Sequence, residues 1–157
     1  MADKRIVYQE SNGIASIVVP SPEFLASGGP MDHLLIKSFP ENWRDSANVV
    51  EVDTVPSDRT FRNAWVTEQG KSVEIDLAKA KDVAKDKVRE ARTPKFVELD
   101  IAYQRADEAG DADAKTAVVV KKQTARDATA DTKITNADSV ANLKTGMNEV
   151  ITEVGDL

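Results

Sequence analysis

The chain has 157 residues, of which 41% are hydrophobic, 31% charged and only 5% aromatic, with a formal net charge of −6 and a pI of about 4.9. That length suits one domain, or a small domain with an appendage. Many of the apolar residues are alanines, so the sequence predicts an extended helical part rather than one large core. The acidic balance argues against a nucleic-acid partner, because neutralising phosphates needs a local Lys/Arg excess. No run of roughly 18 apolar residues is present, so no membrane span is expected. The first residues lack the apolar stretch of a signal peptide. With no cysteine there is no disulfide framework and no thiolate chemistry.

Residues 5–10 read as a strand, because Ile6, Val7 and Tyr8 are strong β formers. Ser11, Asn12 and Gly13 then form a hairpin loop, and residues 14–19 read as the second strand. Pro20 stops it. Ser21 caps a short helix with Pro22 at its first position and Glu23 in its first turn, ending at Gly28 and Gly29. Leu34, Leu35 and Ile36 predict a third strand and residues 49–52 a fourth, with a loop around Pro40, Asn42 and Trp43 between them. The unit is near the lower limit for independent stability.

After Gly70 the period changes. Val73, Leu77, Ala80, Ala84, Val88 and Ala91 recur at steps of three and four, one face of a helix. Thr93 and Pro94 interrupt it, and two outcomes fit: a break with Thr93 as a new N-cap, or a helix that continues. The apolar phase favours continuity, since Leu99, Ala102 and Ala106 stay on the stripe while Phe96 and Tyr103 widen it. Gly110 ends this arm, and Asp111 or Asp113 caps a second helix over residues 114–128. The pair reads as an antiparallel helical hairpin whose first arm is roughly 50 Å long and whose second is about half that. Part of the long stripe therefore needs another cover: the C-terminal segment, the β unit or another subunit. Residues 127–137 read as a polar loop. Residues 138–150 read as a weaker third helix using Val140, Leu143, Met147 and Val150, in which Gly146 costs about 1 kcal/mol relative to Ala. Residues 151–157 fray or pair with another chain.

The fold class expected is therefore α+β: a small β-rich domain over 1–70, a helical hairpin arm over 71–130, and a polar loop with a C-terminal helix or tail over 131–157. Nothing in the pattern points to catalysis. His33 is the only histidine, the acidic residues are interleaved with lysines, and neither a G-x-S-x-G element nor a phosphate loop occurs. Asp111 and Asp113 begin like a calcium loop but lack the later glycine and the bidentate glutamate, so capping explains them better. No catalytic residue, metal, cofactor or small-molecule substrate is expected.

Residues 56–65, Pro-Ser-Asp-Arg-Thr-Phe-Arg-Asn-Ala-Trp, lie where the two patterns meet. Arg59 and Arg62 interleave with Phe61 and Trp65, which can mark nucleotide stacking. Acidic neighbours on both sides favour a structural joint: Pro56 and Ser57 start a short turn or helix, and Phe61 and Trp65, four apart, lie on one face, buried where the β unit meets the arm. The arginines then pair with acids or stack on the rings. Joint or interface candidates are Arg59, Phe61, Arg62, Trp65, Leu77, Val88, Phe96, Leu99 and Tyr103.

The opening pattern Ile6-Val7-Tyr8, Asn12-Gly13-Ile14-Ala15 and Val18-Val19-Pro20-Ser21-Pro22-Glu23 resembles that of small tail-region proteins of tailed bacteriophages. The ten-residue segment 56–65 looks like their recurrent signature, and Lys121-Lys122-Gln123-Thr124-Ala125-Arg126-Asp127 is similar to a stretch in the same proteins and in tail-fibre and fibre-assembly proteins. The resemblance spans most of residues 5–131. It implies a non-enzymatic structural component of a virion, in the tail or tail-fibre region, made in the bacterial host cytoplasm. Its partners would be other copies of itself and other phage tail or fibre proteins. Alternatives within that context are a tail-fibre assembly chaperone and a capsid decoration protein.

Overall fold

Alternation along β1 (Lys4–Gln9) sets up the first half of the molecule: Ile6 and Tyr8 point to one face and Val7 to the other. In the computed structural model, residues 4–39, 41, 46–68 and 71–157 are described. The expected loop at Pro40, Asn42 and Trp43, and Gly70, lie outside them. The chain divides into two units, Met1–Asp76 and Leu77–Leu157.

In the first unit β1 is the central strand, paired antiparallel with β2 (Ala15–Val18) and with β3 (Ala47–Glu51) in the order β2-β1-β3. Gly13, at φ 77°, donates to the Glu10 carbonyl at 2.9 Å, and the Glu10 N–H donates to Ile14 at 2.9 Å, closing a three-residue hairpin loop. Ser21 caps α1 (Pro22–Ala26) by accepting from the Phe24 N–H at 3.2 Å. The expected third strand at Leu34 to Ile36 is instead part of a helix, α2 (Met31–Ser38). A run of three apolar residues does not fix a period, whereas Met31, Leu34 and Leu35 fall at the helical steps of three and four. These three pack on the sheet face that carries Ile6 and Ala47, beside Phe39. Tyr8 and Phe39 meet edge to face at 4.5 Å.

The opposite sheet face, with Val7, Ala15 and Val50, is covered by Trp65 and Val73, with Ile17, Val55 and Ile75 around them. Trp65 lies on β4 (Trp65–Val66), which pairs with β5 (Glu74–Ile75) in the register Trp65 to Ile75. Val73, expected on the helical stripe, is thus a core residue of the first unit. The boundary falls at 76/77 rather than 70/71, because the segment before Leu77 is held by strand pairing and by the Asp76 N–H on the Ala64 carbonyl at 3.0 Å.

The second unit begins with α3 (Leu77–Glu108), a helix of 32 residues. It buries Ala80, Ala84, Val88, Leu99 and Ala106 and runs through Pro94 without stopping. Its C-terminus closes on Gly110, at φ 66°: Gly110 donates to Asp107 at 3.0 Å and Asp111 to Ala106 at 2.9 Å. Asp111 then caps α4 (Ala112–Asp127) through the Ala114 N–H at 2.9 Å. The partners recede along α3 as α4 advances: Asp107 with Lys115, Asp100 with Lys122, and Arg92 with the Ala125 and Arg126 carbonyls. That is an antiparallel hairpin.

Residues 128–137 are not an open loop. A 3₁₀ turn (Ala128–Ala130) leads to α5 (Thr132–Thr135), capped by Asp131 and anchored by the fully buried Ile134. Next comes α6 (Val140–Gly155), longer than the expected 138–150, with Leu143, Met147, Val150 and Val154 buried. α6 packs along α3, so the C-terminal segment is what covers the stripe that the shorter α4 leaves bare. Lys81 Nζ on the Thr135 carbonyl at 2.7 Å ties α5 to the start of α3, and Lys121 bonds the Leu157 carbonyl from α4. Residues 131–157 belong to the helical unit and are neither a frayed tail nor a separate segment.

Gly146 is buried because α5 crosses α6 there. A Cβ at this position would stand 2.5 Å from the Lys133 carbonyl oxygen and 2.9 Å from its Cβ. Gly146→Ala should therefore destabilise the helical unit by about 1–3 kcal/mol, overriding a helix-propensity gain of about 1 kcal/mol. Urea unfolding followed by far-UV circular dichroism measures this; a stabilised variant would contradict the close crossing.

Candidate functional site

The 56–65 segment is built from turns and one short strand. Asp58 Oδ1 accepts from the Thr60 N–H at 2.9 Å and from the Thr60 hydroxyl at 2.6 Å, an Asx turn that redirects the chain. A 3₁₀ turn (Arg62–Ala64) follows, and Trp65 opens β4. Phe61 and Trp65 are buried, at 1% and 0% exposure. Of the two alternatives, turn or helix, the segment takes the turn, so Phe61 and Trp65 have no helix face to share, and Trp65 is extended on β4. Trp65 packs inside the first unit's own core, against Val7, Ala15, Val50 and Val73, where the joint reading had placed it between sheet and arm. With only 3₁₀ geometry over three residues, the four-residue helical spacing has no helix to act on.

Arg62 is the centre of this segment. Its guanidinium carbon lies 4.6 Å from the Trp65 ring centroid, and its Nη1 donates to the Ala15 carbonyl at 2.6 Å. One cation thus holds the β2 backbone and the indole together. Burial lowers its pKa from the ordinary arginine value, with Arg59 adding to that, while Glu10 and Tyr8 act in the opposite sense. An arginine so placed remains charged at neutral pH. Arg59 is exposed and contributes its carbonyl to the turn, accepting from the Arg62 N–H at 3.1 Å. Trp65 Nε1 and Thr67 Oγ1 are buried with no hydrogen-bond partner among the described residues.

The other candidates lie in the helical unit. Val88 and Leu99 are buried, and Leu77, Phe96 and Tyr103 are half-buried. Phe96 sits between Arg92 and Arg126, each guanidinium carbon 5.8 Å from the ring centroid. Tyr103 sits beside Lys115 at 5.6 Å and Lys122 at 4.8 Å. Arg92, Lys115, Lys122 and Arg126 were not among the sequence candidates. Two signals were readable: Arg92 lies one helical turn before Phe96, and Lys115, Lys122 and Arg126 recur at steps of seven and four. Asp107 hydrogen-bonds Lys115 at 2.5 Å and raises its pKa.

A cleft of about 480 Å³ opens where the end of α4, the Ala128–Ala130 turn, α5 and α6 converge. Its carboxylates are already engaged: Asp127 accepts from Gln123, Asp131 from the Lys133 N–H, and Glu153 from Lys133 Nζ. Among the described residues no group of three His, Cys, Asp or Glu is placed to hold a metal ion. Nor is any described helix long and apolar enough to cross a membrane. His33 lies exposed on α2. Comparison with protein-family models, with curated proteins and with solved structures gives no match.

Trp65→Ala should cost about 3–5 kcal/mol, a large share of what a unit of this size has. Trp65→Phe should cost far less, since the indole N–H makes no bond with the described residues. Urea unfolding of both variants, read by near-UV circular dichroism, tests this. Equal losses would show that the indole nitrogen matters, and a fully stable Trp65→Ala protein would show that the ring is not a core element.

Proposed function

We propose that this chain is a non-enzymatic structural component of a tailed-bacteriophage virion, in the tail or tail-fibre region, acting through packing against other proteins. The reading rests on the likeness of residues 56–65 to the signature of small phage tail-region proteins. One observation supports treating that signature as scaffold: Phe61, Ala64 and Trp65 are buried and Arg62 is bonded to the β2 backbone. Both rings are inside the unit, so this segment offers no stacking platform for a nucleotide, which would need exposed ring faces.

A packing role needs apolar surface that the chain does not itself cover. Val97 and Ile101, four residues apart on the side of α3 away from Leu99 and Ala106, are 58% and 45% exposed. Val119 and Val120 on α4 are also exposed. Partners of this kind would be other copies of the chain or other tail and fibre proteins.

Mass spectrometry of purified particles of the encoding phage tests the reading. The expected result is the chain in stoichiometric amount, with Val97→Asp plus Ile101→Asp lowering its incorporation while leaving its far-UV circular dichroism unchanged. Absence from the particle, joined to loss of fibre solubility when the chain is omitted from co-expression, would favour an assembly chaperone instead.

A further inference from the structure

The tip of the β1–β2 hairpin carries a reactive sequence that no packing role uses. Asn12 is followed by Gly13, and glycine leaves its own backbone nitrogen sterically free to reach a neighbouring side-chain carbonyl. The Asn12 carboxamide is exposed, yet both of its ends are tied. Its Oδ1 accepts from the Ile14 N–H at 2.9 Å, and its Nδ2 donates to Glu10 Oε2 at 3.0 Å. Glu10 is held in turn by the Ser16 hydroxyl on its other carboxylate oxygen. The Gly13 N–H donates to the Glu10 carbonyl at 2.9 Å.

We propose that Asn12 is a latched site of spontaneous deamidation, with the Glu10 carboxylate as the latch. In the reaction the Gly13 nitrogen gives up its proton to solvent base and attacks Asn12 Cγ. The Cγ–Nδ2 bond breaks and ammonia leaves, closing a five-membered imide between the two residues. Water then opens the imide at either carbonyl, leaving an aspartyl or an isoaspartyl residue at position 12. Only water and a proton acceptor are needed, and no electrons are exchanged.

The folded loop opposes the first step twice over. The Gly13 N–H is directed at Glu10, and the carboxamide plane is fixed between Ile14 and Glu10, so Cγ cannot turn to meet the nitrogen. The reaction proceeds from the open loop, and its rate follows the population of that open state. The product loosens the loop that slowed its formation. A carboxylate replaces the Nδ2 donor opposite the Glu10 carboxylate, converting an attraction into a like-charge contact. The isoaspartyl form also adds a backbone atom, which breaks the Gly13 to Glu10 register. β2, whose Ala15 carbonyl holds Arg62, starts two residues later.

Peptide mapping of the full chain, with aspartyl and isoaspartyl forms separated, follows the reaction in neutral buffer with and without urea. Deamidation at Asn12 is expected to be about tenfold or more slower in the folded chain than in urea, as for any group reached by local opening. Glu10→Ala should raise the folded rate several-fold and leave the rate in urea unchanged, while Glu10→Gln, which keeps an acceptor, should fall between. Equal rates with and without urea, or a folded Glu10→Ala chain that reacts no faster, would overturn the latch. Should Glu10→Ala not fold, Ser16→Ala decides: a faster folded rate supports the latch and an unchanged one refutes it.

Discussion

Cations set against aromatic rings recur in both units of this chain. Aromatics are 5% of the sequence and much of the apolar content is alanine, so each large ring has to organise more of its surroundings than usual. In the first unit Arg62 lies over Trp65 and grips the Ala15 carbonyl, joining the sheet's edge strand to the cover of its inner face. In the second unit Phe96 and Tyr103 each meet two cations, three of the four supplied by α4. A contact of this kind contributes about 0.5–1 kcal/mol when exposed and about 2 when dry. The Arg62 contact, which joins a buried ring to a half-buried cation, lies between these limits; those on the half-buried rings fix hairpin register more than they add stability.

The helical unit shows how a stripe of small residues can still be closed. Ala80, Ala84 and Val88 allow close approach along the first half of α3, and α5 and α6 occupy that space. Gly146 serves the same close approach from the other side, where a single Cβ would collide with the Lys133 carbonyl. A residue that weakens a helix by propensity is here the residue that lets the helix dock. Propensity is a local preference of about 1 kcal/mol, and a backbone collision outweighs it.

What could be read from the sequence was what local chemistry decides. The Gly13 hairpin, the Ser21 cap, the Gly110 terminus and the α+β order all rest on a few adjacent residues with defined backbone preferences. Continuity through Pro94 was readable from phase, because Leu99 and Ala106 stay on the stripe of Ala80, Ala84 and Val88. The misplaced elements are those decided at a distance. Leu34 to Ile36 is too short to show a period until Phe39 and the sheet face are present. Val73 matches the helical stripe by spacing but is held by the pairing of its neighbours Glu74 and Ile75 with β4. The C-terminal segment reads as weak because its partner surface, the first half of α3, lies three helices earlier in the chain. For the candidate site, burial of Phe61 and Trp65 was legible from residue type, whereas the Ala15 carbonyl under Arg62 was not, since a backbone acceptor leaves no mark in side-chain spacing.

In the folded chain a packing role would fall to residues outside the α3 stripe. The stripe of Val88 and Leu99 first suggested a missing partner, because a hairpin with arms of unequal length leaves apolar surface open. α6 closes that gap from within the chain, so the stripe is no longer a reason to look for another subunit. On α3, what stays uncovered is the reverse side at Val97 and Ile101, flanked by Pro94 and Gln104 rather than by a repeating heptad. Two exposed β-branched residues one turn apart bury too little to drive a stable dimer by area alone, since a specific interface removes roughly 800 Å² per partner. A packing partner would have to reach beyond them to the surrounding charged surface of α3. The acidic and basic residues there are interleaved rather than segregated, so recognition would depend on matching individual charges, and would weaken with added salt as exposed pairs do.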